Sequence, residues 1–284
     1  MSGDAGNPIP TVRDVASLRD AIGARRGRGG RIGLVPTMGA LHAGHLRLVE
    51  QARETCDHVV ASIFVNPKQF DRRADLAHYP RDEAGDAARL AEAGCGLLYA
   101  PPLERMYPAG FATTVQVGGV AADLEGEYRP GHFEGVATVV TKLLLQVLPD
   151  AAFFGEKDFQ QLLTIRRLAA DLDIPVAVEG VPTARESDGL ALSSRNARLT
   201  PDQRRVAPVL ADTLMRTARH VQEASGPTEP ILQAARESLL RAGFDAVDYV
   251  ALRDAGHFDD YRPPRLLAAA WLGDVRLIDN VPVA

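Results

Sequence analysis

His42 and His45 stand three residues apart in the run Pro36-Thr37-Met38-Gly39-Ala40-Leu41-His42-Ala43-Gly44-His45, directly after an apolar stretch at residues 32–35. A strand that turned into a helix here would bring both imidazoles onto one face of the helix's first turn. That end carries unpaired N–H groups and the positive end of the helix dipole, so anions are favoured. Two imidazoles add directed donors to a phosphate on which charge develops, a stabilising role rather than that of a base. Gly39 and Gly44 lack a Cβ, which lets a nucleotide approach the main chain closely. The alternatives are a pair that merely caps and packs, or half of a zinc site. Zinc needs three or four protein ligands, and no Cys, His or acidic partner stands nearby at ligand spacing.

Three further groups could serve the same chemistry. Gly155-Glu156-Lys157-Asp158 falls at an expected strand-to-helix turn, where the glycine permits a tight bend, Lys157 can reach a phosphate and Asp158 can cap the helix. Ser193-Ser194-Arg195 combines hydroxyls with an always-charged guanidinium, a set suited to a departing pyrophosphate. Gln69 and Gln161 are neutral amides that can bind a carboxylate and hydroxyls without an ion pair to blunt its nucleophilicity. Asn66 and Arg129 stand at the edges of these groups as further substrate or phosphate contacts. Taken singly, each has a plain alternative: a surface lysine beside an Asx cap, a hydrophilic linker, an ordinary surface arginine.

Positioning such groups together requires a scaffold whose loops gather at one edge. Short apolar runs alternate with longer helical patterns, the signature of βαβ units and a parallel sheet with helices on both faces. Strands are expected at residues 32–35, 58–65, 96–100, 151–154 and 175–179, with helices at 44–56, 82–92, 134–148 and 158–172. Ligands of such sheets bind beyond the carboxyl ends of the strands, and segments 37–45, 66–70 and 155–161 each follow an expected strand. Thr200 as N-cap and Pro201 at the first helical position open a long helix to about residue 224. A break at Ser225-Gly226-Pro227-Thr228, a helix to about 242 and antiparallel strands at 246–252, 265–272 and 275–278 complete the chain. The expectation is an α/β protein: a Rossmann-like doubly wound parallel sheet over residues 1–186 and a smaller C-terminal α/β lid over 187–284.

Composition narrows the class. A chain of 284 residues is long enough to bury two cores. Its 32 basic and 37 acidic side chains leave a net charge of −5, so no basic face for nucleic acid is implied. Arg25, Arg26, Arg28 and Arg31 read as a solvated loop. Cys56 and Cys95 read as reduced, buried thiols in a reducing compartment. No apolar run approaches the ~20 residues needed to cross a bilayer, and no basic-then-apolar leader opens the chain. The expectation is a cytoplasmic enzyme without nucleic-acid or membrane partners.

His42-Ala43-Gly44-His45 resembles the His-x-Gly-His signature of the nucleotidyltransferase superfamily. With Phe64-Val65-Asn66-Pro67-Lys68-Gln69-Phe70, Tyr79-Pro80-Arg81-Asp82, Gly131-His132-Phe133-Glu134-Gly135-Val136, Phe154-Gly155-Glu156-Lys157-Asp158-Phe159-Gln160-Gln161 and the run from Arg185 to Asn196, the chain resembles the pantothenate synthetase family from end to end. The resemblance implies a two-step ligase. ATP transfers AMP to pantoate, pyrophosphate leaves, and β-alanine displaces AMP from the mixed anhydride to give pantothenate. It implies that ATP is held by Met38, Gly39, Ala40, Leu41, His42, Ala43, Gly44 and His45, by Gly155, Glu156, Lys157 and Asp158, and by Ala184, Leu192, Ser193, Ser194 and Arg195. It further implies that His42, His45, Lys157 and Arg195 carry catalysis, that Gln69, Gln161, Asn66 and Arg129 hold pantoate, and that Gln69 also meets β-alanine. Mg²⁺ with Asp86 as its ligand, and a homodimer, complete the set. Three positions depart from the family pattern: Ala43 where Glu is common, Ala184 for Val and Leu192 for Met. None removes a reacting group. A nucleotidyltransferase acting on another small substrate, and a catalytically silent binding protein on the same fold, remain the alternatives.

Overall fold

In the computed structural model of the protein, residues 8–27, 29–70, 76–77, 79–253 and 263–283 are described. Arg28 of the arginine cluster, and the first seven residues of the expected leaderless start, lie outside the described residues. The chain divides into two compact units, Met1–Glu156 with Gln160–Pro182, and Lys157–Phe159 with Thr183–Ala284.

The first unit is built on six parallel strands: β1 Thr11–Val12, β2 Ile32–Thr37, β3 His58–Ile63, β4 Leu97–Tyr99, β5 Ala151–Gly155 and β6 Ala177–Val181. Their order in the sheet is β1-β4-β3-β2-β5-β6. β2 and β3 are continuous apolar runs because a parallel sheet is covered on both faces. Val35, Ala61, Leu98 and Phe153 of the sheet pack with Leu48, Val49 and Ala52 of helix Ala43–Thr55 in one core. From β2 the chain runs outward through β3 to β4 on one side, whereas β5 and β6 lie on the other, so the strand order reverses between β2 and β5. Those two strands pair only at Gly33 and Leu34 with Ala151 and Ala152. Beyond that point they part, and such a switch point is where open α/β sheets bind ligands.

The second unit pairs β7 Ala246–Arg253, β8 Arg265–Leu272 and β9 Val275–Pro282 as an antiparallel sheet with β8 in the middle. Helices Val209–Glu223 and Glu229–Arg241 supply Leu210, Leu214, Leu232 and Leu239 to a core shared with Leu266, Ala268 and Leu277 of the sheet. The irregularity in β7 between Val247 and Tyr249 is fixed by Asp248, which accepts from Trp271 Nε1 at 2.9 Å and Arg276 Nε at 2.6 Å.

Most expected elements lie within a few residues of those observed, and short helices such as Leu103–Met106 and Glu125–Tyr128 join them; two larger differences stand out. β1 and helix Val15–Arg26 were not expected; the helix buries only Leu18 and Ile22, too few to write a clear apolar stripe. Arg25 and Arg26 therefore end a helix rather than populate a solvated loop, and Arg26 pairs with Asp150 at 3.2 Å. The long helix after Thr200 is two, Pro201–Val206 and Val209–Glu223, because Pro208 lacks an N–H and clashes with the preceding turn. Thr200 and Gln203 do form the capping box that the Thr-Pro start suggests. Cys56 and Cys95 are buried free thiols, and burial pushes both above their ordinary titration range.

Candidate functional site

At the end of β2, Thr37 Oγ1 donates to Ser62 O at 2.7 Å and accepts the Gly39 amide at 3.2 Å. The chain then turns through left-handed geometry at Gly39 (φ 82°) and Ala40 (φ 53°). His42 is the N-cap of helix Ala43–Thr55, one residue before the expected start. Its Nδ1 accepts the Gly44 amide at 3.1 Å, while His45 Nδ1 accepts the His42 amide at 3.3 Å. This is a capping box built from two imidazoles where Ser or Thr and Glu usually serve. Since both Nδ1 atoms accept, the neutral rings carry their protons on Nε2. The ring centroids lie 4.1 Å apart, and a pocket beside the turn is lined by Met38, Gly39, Phe64, Val65 and Pro67.

The turn after β3 holds Gln69. Asn66 is 1% exposed, and every hydrogen-bonding position of its amide is filled within the unit. Its Oδ1 accepts from Tyr107 at 2.9 Å and the Lys68 amide at 3.3 Å; its Nδ2 donates to Gln69 Oε1 and Gly135 O, both at 3.0 Å. Asn66 therefore orients Gln69. Burial pushes the Tyr107 phenol up to about 12, so it stays a donor at neutral pH.

Behind Gln69 the candidate Arg129 meets His132, a residue given no role of its own in the sequence. Arg129 donates to His132 Nε2 at 3.1 Å, and His132 Nδ1 lies 2.9 Å from Gln69 O. Arginine can only donate. The bond fixes Nε2 as acceptor and Nδ1–H as the donor to Gln69 O. Arg129 is also paired with Glu125 at 3.6 Å, with side chains 13% and 8% exposed, so it is not an ordinary surface arginine. Helix His132–Val147 comes this close because Gly135 lacks a Cβ; one built there would meet Lys68 O at 2.3 Å. The Gly131-x-x-x-Gly135 spacing was the available signal. Gln161 is partly exposed on helix Phe159–Asp171, whereas its neighbour Gln160 is buried and donates to Val120 O and Asp123 O.

Asp86, the expected metal ligand, is 1% exposed. Its carboxylate accepts the Ala40 amide at 2.7 Å and the Leu41 amide at 2.9 Å, and pairs with Arg89 at 3.1 Å. A buried carboxylate engaged on both oxygens does not fit an ion that keeps several waters. Among the described residues, no three His, Cys, Asp or Glu gather as a set that could hold a metal ion.

In the second unit, Lys157, Ser193, Arg195, Asn196, Arg276 and Asp279 line one pocket. Lys157 is tied there by its carbonyl, which accepts from Asn280 Nδ2 at 2.9 Å; its ammonium lies 3.7 Å from Asp158. Ser193 caps the turn Ser194–Arg198 by accepting the Arg195 amide at 3.2 Å. Ala184 and Leu192 face each other through a Leu192 N to Ala184 O bond of 2.9 Å. Arg185 forks onto Asp279 at 2.7 and 2.9 Å. In the first unit, Gly155 ends β5 with open space where a Cβ would stand and no left-handed φ, so the tight bend expected of this glycine is not what it supplies.

A family model described as pantoate-beta-alanine ligase matches residues 10–282. A pantothenate synthetase from Paramagnetospirillum magneticum is 58% identical over 279 residues, covering 97% of this chain and 98% of the relative. The crystal structure of pantothenate synthetase from Thermus thermophilus superposes with a TM-score of 0.87 at 50% identity, covering 96% of this chain and 99% of that one. Pantoate-beta-alanine ligase from Francisella tularensis, solved with beta-gamma ATP and beta-alanine, gives 0.82 at 32% identity, covering 97% and 98%. The motifs, the parallel sheet with its separate antiparallel unit and these matches along nearly the whole length agree: the chain belongs to the pantoate-beta-alanine ligase family.

Proposed function

We propose that the protein condenses pantoate with β-alanine at the expense of ATP, giving pantothenate, AMP and pyrophosphate through a pantoyl adenylate. A carboxylate does not acylate an amine in water because oxide is too poor a leaving group. Attack of the pantoate carboxylate on the α-phosphorus expels pyrophosphate and forms the mixed anhydride. The β-alanine amine then attacks the acyl carbon, AMP leaves and the amine gives up its proton. The observation that carries this reading is the two-imidazole capping box: it presents two Nε2–H donors beside a helix's positive end, where an α-phosphate gaining charge would be stabilised.

His42 and His45 are assigned to the α-phosphate, and the turn 38–41 with Ala43 and Gly44 to the nucleotide. Gly155, Glu156, Lys157, Asp158, Ser193, Ser194 and Arg195 are assigned to ATP, with Lys157 and Arg195 on the phosphate charge. Ala184 and Leu192 are assigned to the base. Gln69 and Gln161 take the pantoate carboxylate and hydroxyls, with Gln69 also facing β-alanine. Mg²⁺ is assigned as the companion of the ATP phosphates, bound through phosphate and water, without Asp86 and with no step drawn through it. A homodimer in the cytoplasm completes the proposal; light scattering at working concentration decides the dimer.

The experiment is isotope exchange. With ATP and pantoate alone, labelled pyrophosphate should enter ATP, and AMP should accumulate only after β-alanine is added. No exchange without the amine would rule out the adenylate. His45→Ala should slow exchange about 10²- to 10³-fold, the usual loss for one transition-state donor, and a wild-type rate in that variant would remove the histidine from the mechanism.

A further inference from the structure

Asp86 sits in helix Glu83–Glu92, yet both of its oxygens point at a different segment, the turn that leads into His42. Oδ2 accepts the Ala40 amide and Oδ1 the Leu41 amide, at 2.7 and 2.9 Å. These amides follow the two left-handed residues, and Ala40 has a Cβ that disfavours such geometry. A non-glycine residue stays there only when its surroundings over-determine it. A buried carboxylate accepting two successive amides is such a surrounding.

The fit is mutual. A Cβ on Gly39 would stand 3.0 Å from Asp86 Oδ2 and 3.3 Å from Ile63 Cγ2, so the glycine makes room for the carboxylate. Tyr79 donates to Gly39 O at 3.4 Å, and Arg89 holds Oδ1 from one turn further along Asp86's own helix. Leu41 is followed directly by the His42 N-cap, so a shift of the turn carries both imidazoles with it.

We infer that Asp86 is a positioning residue of the ligase: through the Ala40 and Leu41 amides it sets the main chain that aims His42 and His45, and it does not ligate magnesium. The inference rests on the assignment of that loop to the α-phosphate. Asparagine at this position keeps one acceptor and turns an NH2 against the other amide, so one of the two anchoring bonds is lost. A misplacement of about 1 Å at a reacting group costs roughly 10²-fold in rate.

Asp86→Asn should therefore lower kcat/KM for ATP in pyrophosphate exchange by about 10²-fold. The Mg²⁺ concentration for half-maximal activity and the KM for β-alanine should stay at wild-type values. A shifted Mg²⁺ midpoint with activity restored by excess Mg²⁺ would make Asp86 a ligand and overturn the inference, as would an unchanged kcat/KM. His45→Ala separates the two levels. If it leaves exchange intact, the assignment of the loop fails; if it abolishes exchange while Asp86→Asn is normal, only the role of Asp86 fails. Should Asp86→Asn not fold, hydrogen exchange in the free wild-type enzyme decides. Slow exchange at both the Ala40 and Leu41 amides is expected, and fast exchange at both would end the inference.

Discussion

A neutral histidine can carry its proton on either ring nitrogen, and at three positions in this chain the neighbours decide which. His42 and His45 accept backbone amides on Nδ1 and so keep the proton on Nε2. His132 accepts from Arg129 on Nε2 and so keeps it on Nδ1, aimed at Gln69 O. The place of the first pair at a helix start was legible in the sequence, whereas their mutual capping through Nδ1 was one of the alternatives the spacing left open. His132 was not legible: its role depends on Arg129, Glu125 and Gln69, and only folding brings Gln69 beside the other two. His132→Phe removes both bonds and leaves the Arg129 guanidinium facing a ring edge. A lost bond of about 1 kcal/mol on the turn that holds Gln69 should raise the pantoate KM about fivefold, with the KM for ATP little changed. His132→Asn keeps a donor near the Nδ1 position and should recover most of the loss. Equal KM increases for both substrates would show that the histidine does no more than support the fold.

Among the elements, β2 and β5 matter most, since the point where they stop pairing is the switch point. Their continuous apolar runs made both strands readable, and the motifs at their ends followed. What holds their starting ends in register was not readable. Asp150 stands just before β5, and its carboxylate accepts the Ile32 amide at 2.7 Å at the first residue of β2, with Arg26 alongside. Burial by itself would raise this carboxyl, but the Ile32 amide and Arg26 outweigh it and hold the group below its ordinary value of 3.8. A carboxylate lowered on folding stabilises the native state fully above the unfolded value, and that contribution fades as pH falls through the folded one. The wild-type protein should therefore lose stability relative to Asp150→Asn as pH drops below about 3.8, and the two should differ by a constant amount above pH 5. Urea midpoints followed by circular dichroism across that range test this. Parallel curves throughout would remove the link between β2 and β5 through this carboxylate.

At the level of the whole molecule, the two cores do not divide the chain at a single point. Lys157–Phe159 follows β5 in sequence but belongs to the second unit. Asn280 Nδ2 holds the Lys157 carbonyl, and the Arg265 guanidinium lies 3.7 Å over the Phe159 ring. Sequence reading places Lys157 at a strand-to-helix turn and can go no further, because the groups that claim it lie more than a hundred positions later. Phe159 is 8% exposed, and truncating a buried phenylalanine costs about 3–5 kcal/mol. Phe159→Ala should withdraw that support from the second unit and also free Arg265 from the ring. The chain has one tryptophan, Trp271, on β8 of the same unit, so its fluorescence reports that unit's unfolding. The variant should show a lower urea midpoint by Trp271 fluorescence, larger than any shift produced by Asp150→Asn in the same signal at neutral pH. It should also raise the KM for ATP, since Lys157 lies two residues away. A fluorescence midpoint equal to wild type would mean that segment 157–159 adds nothing to the second core.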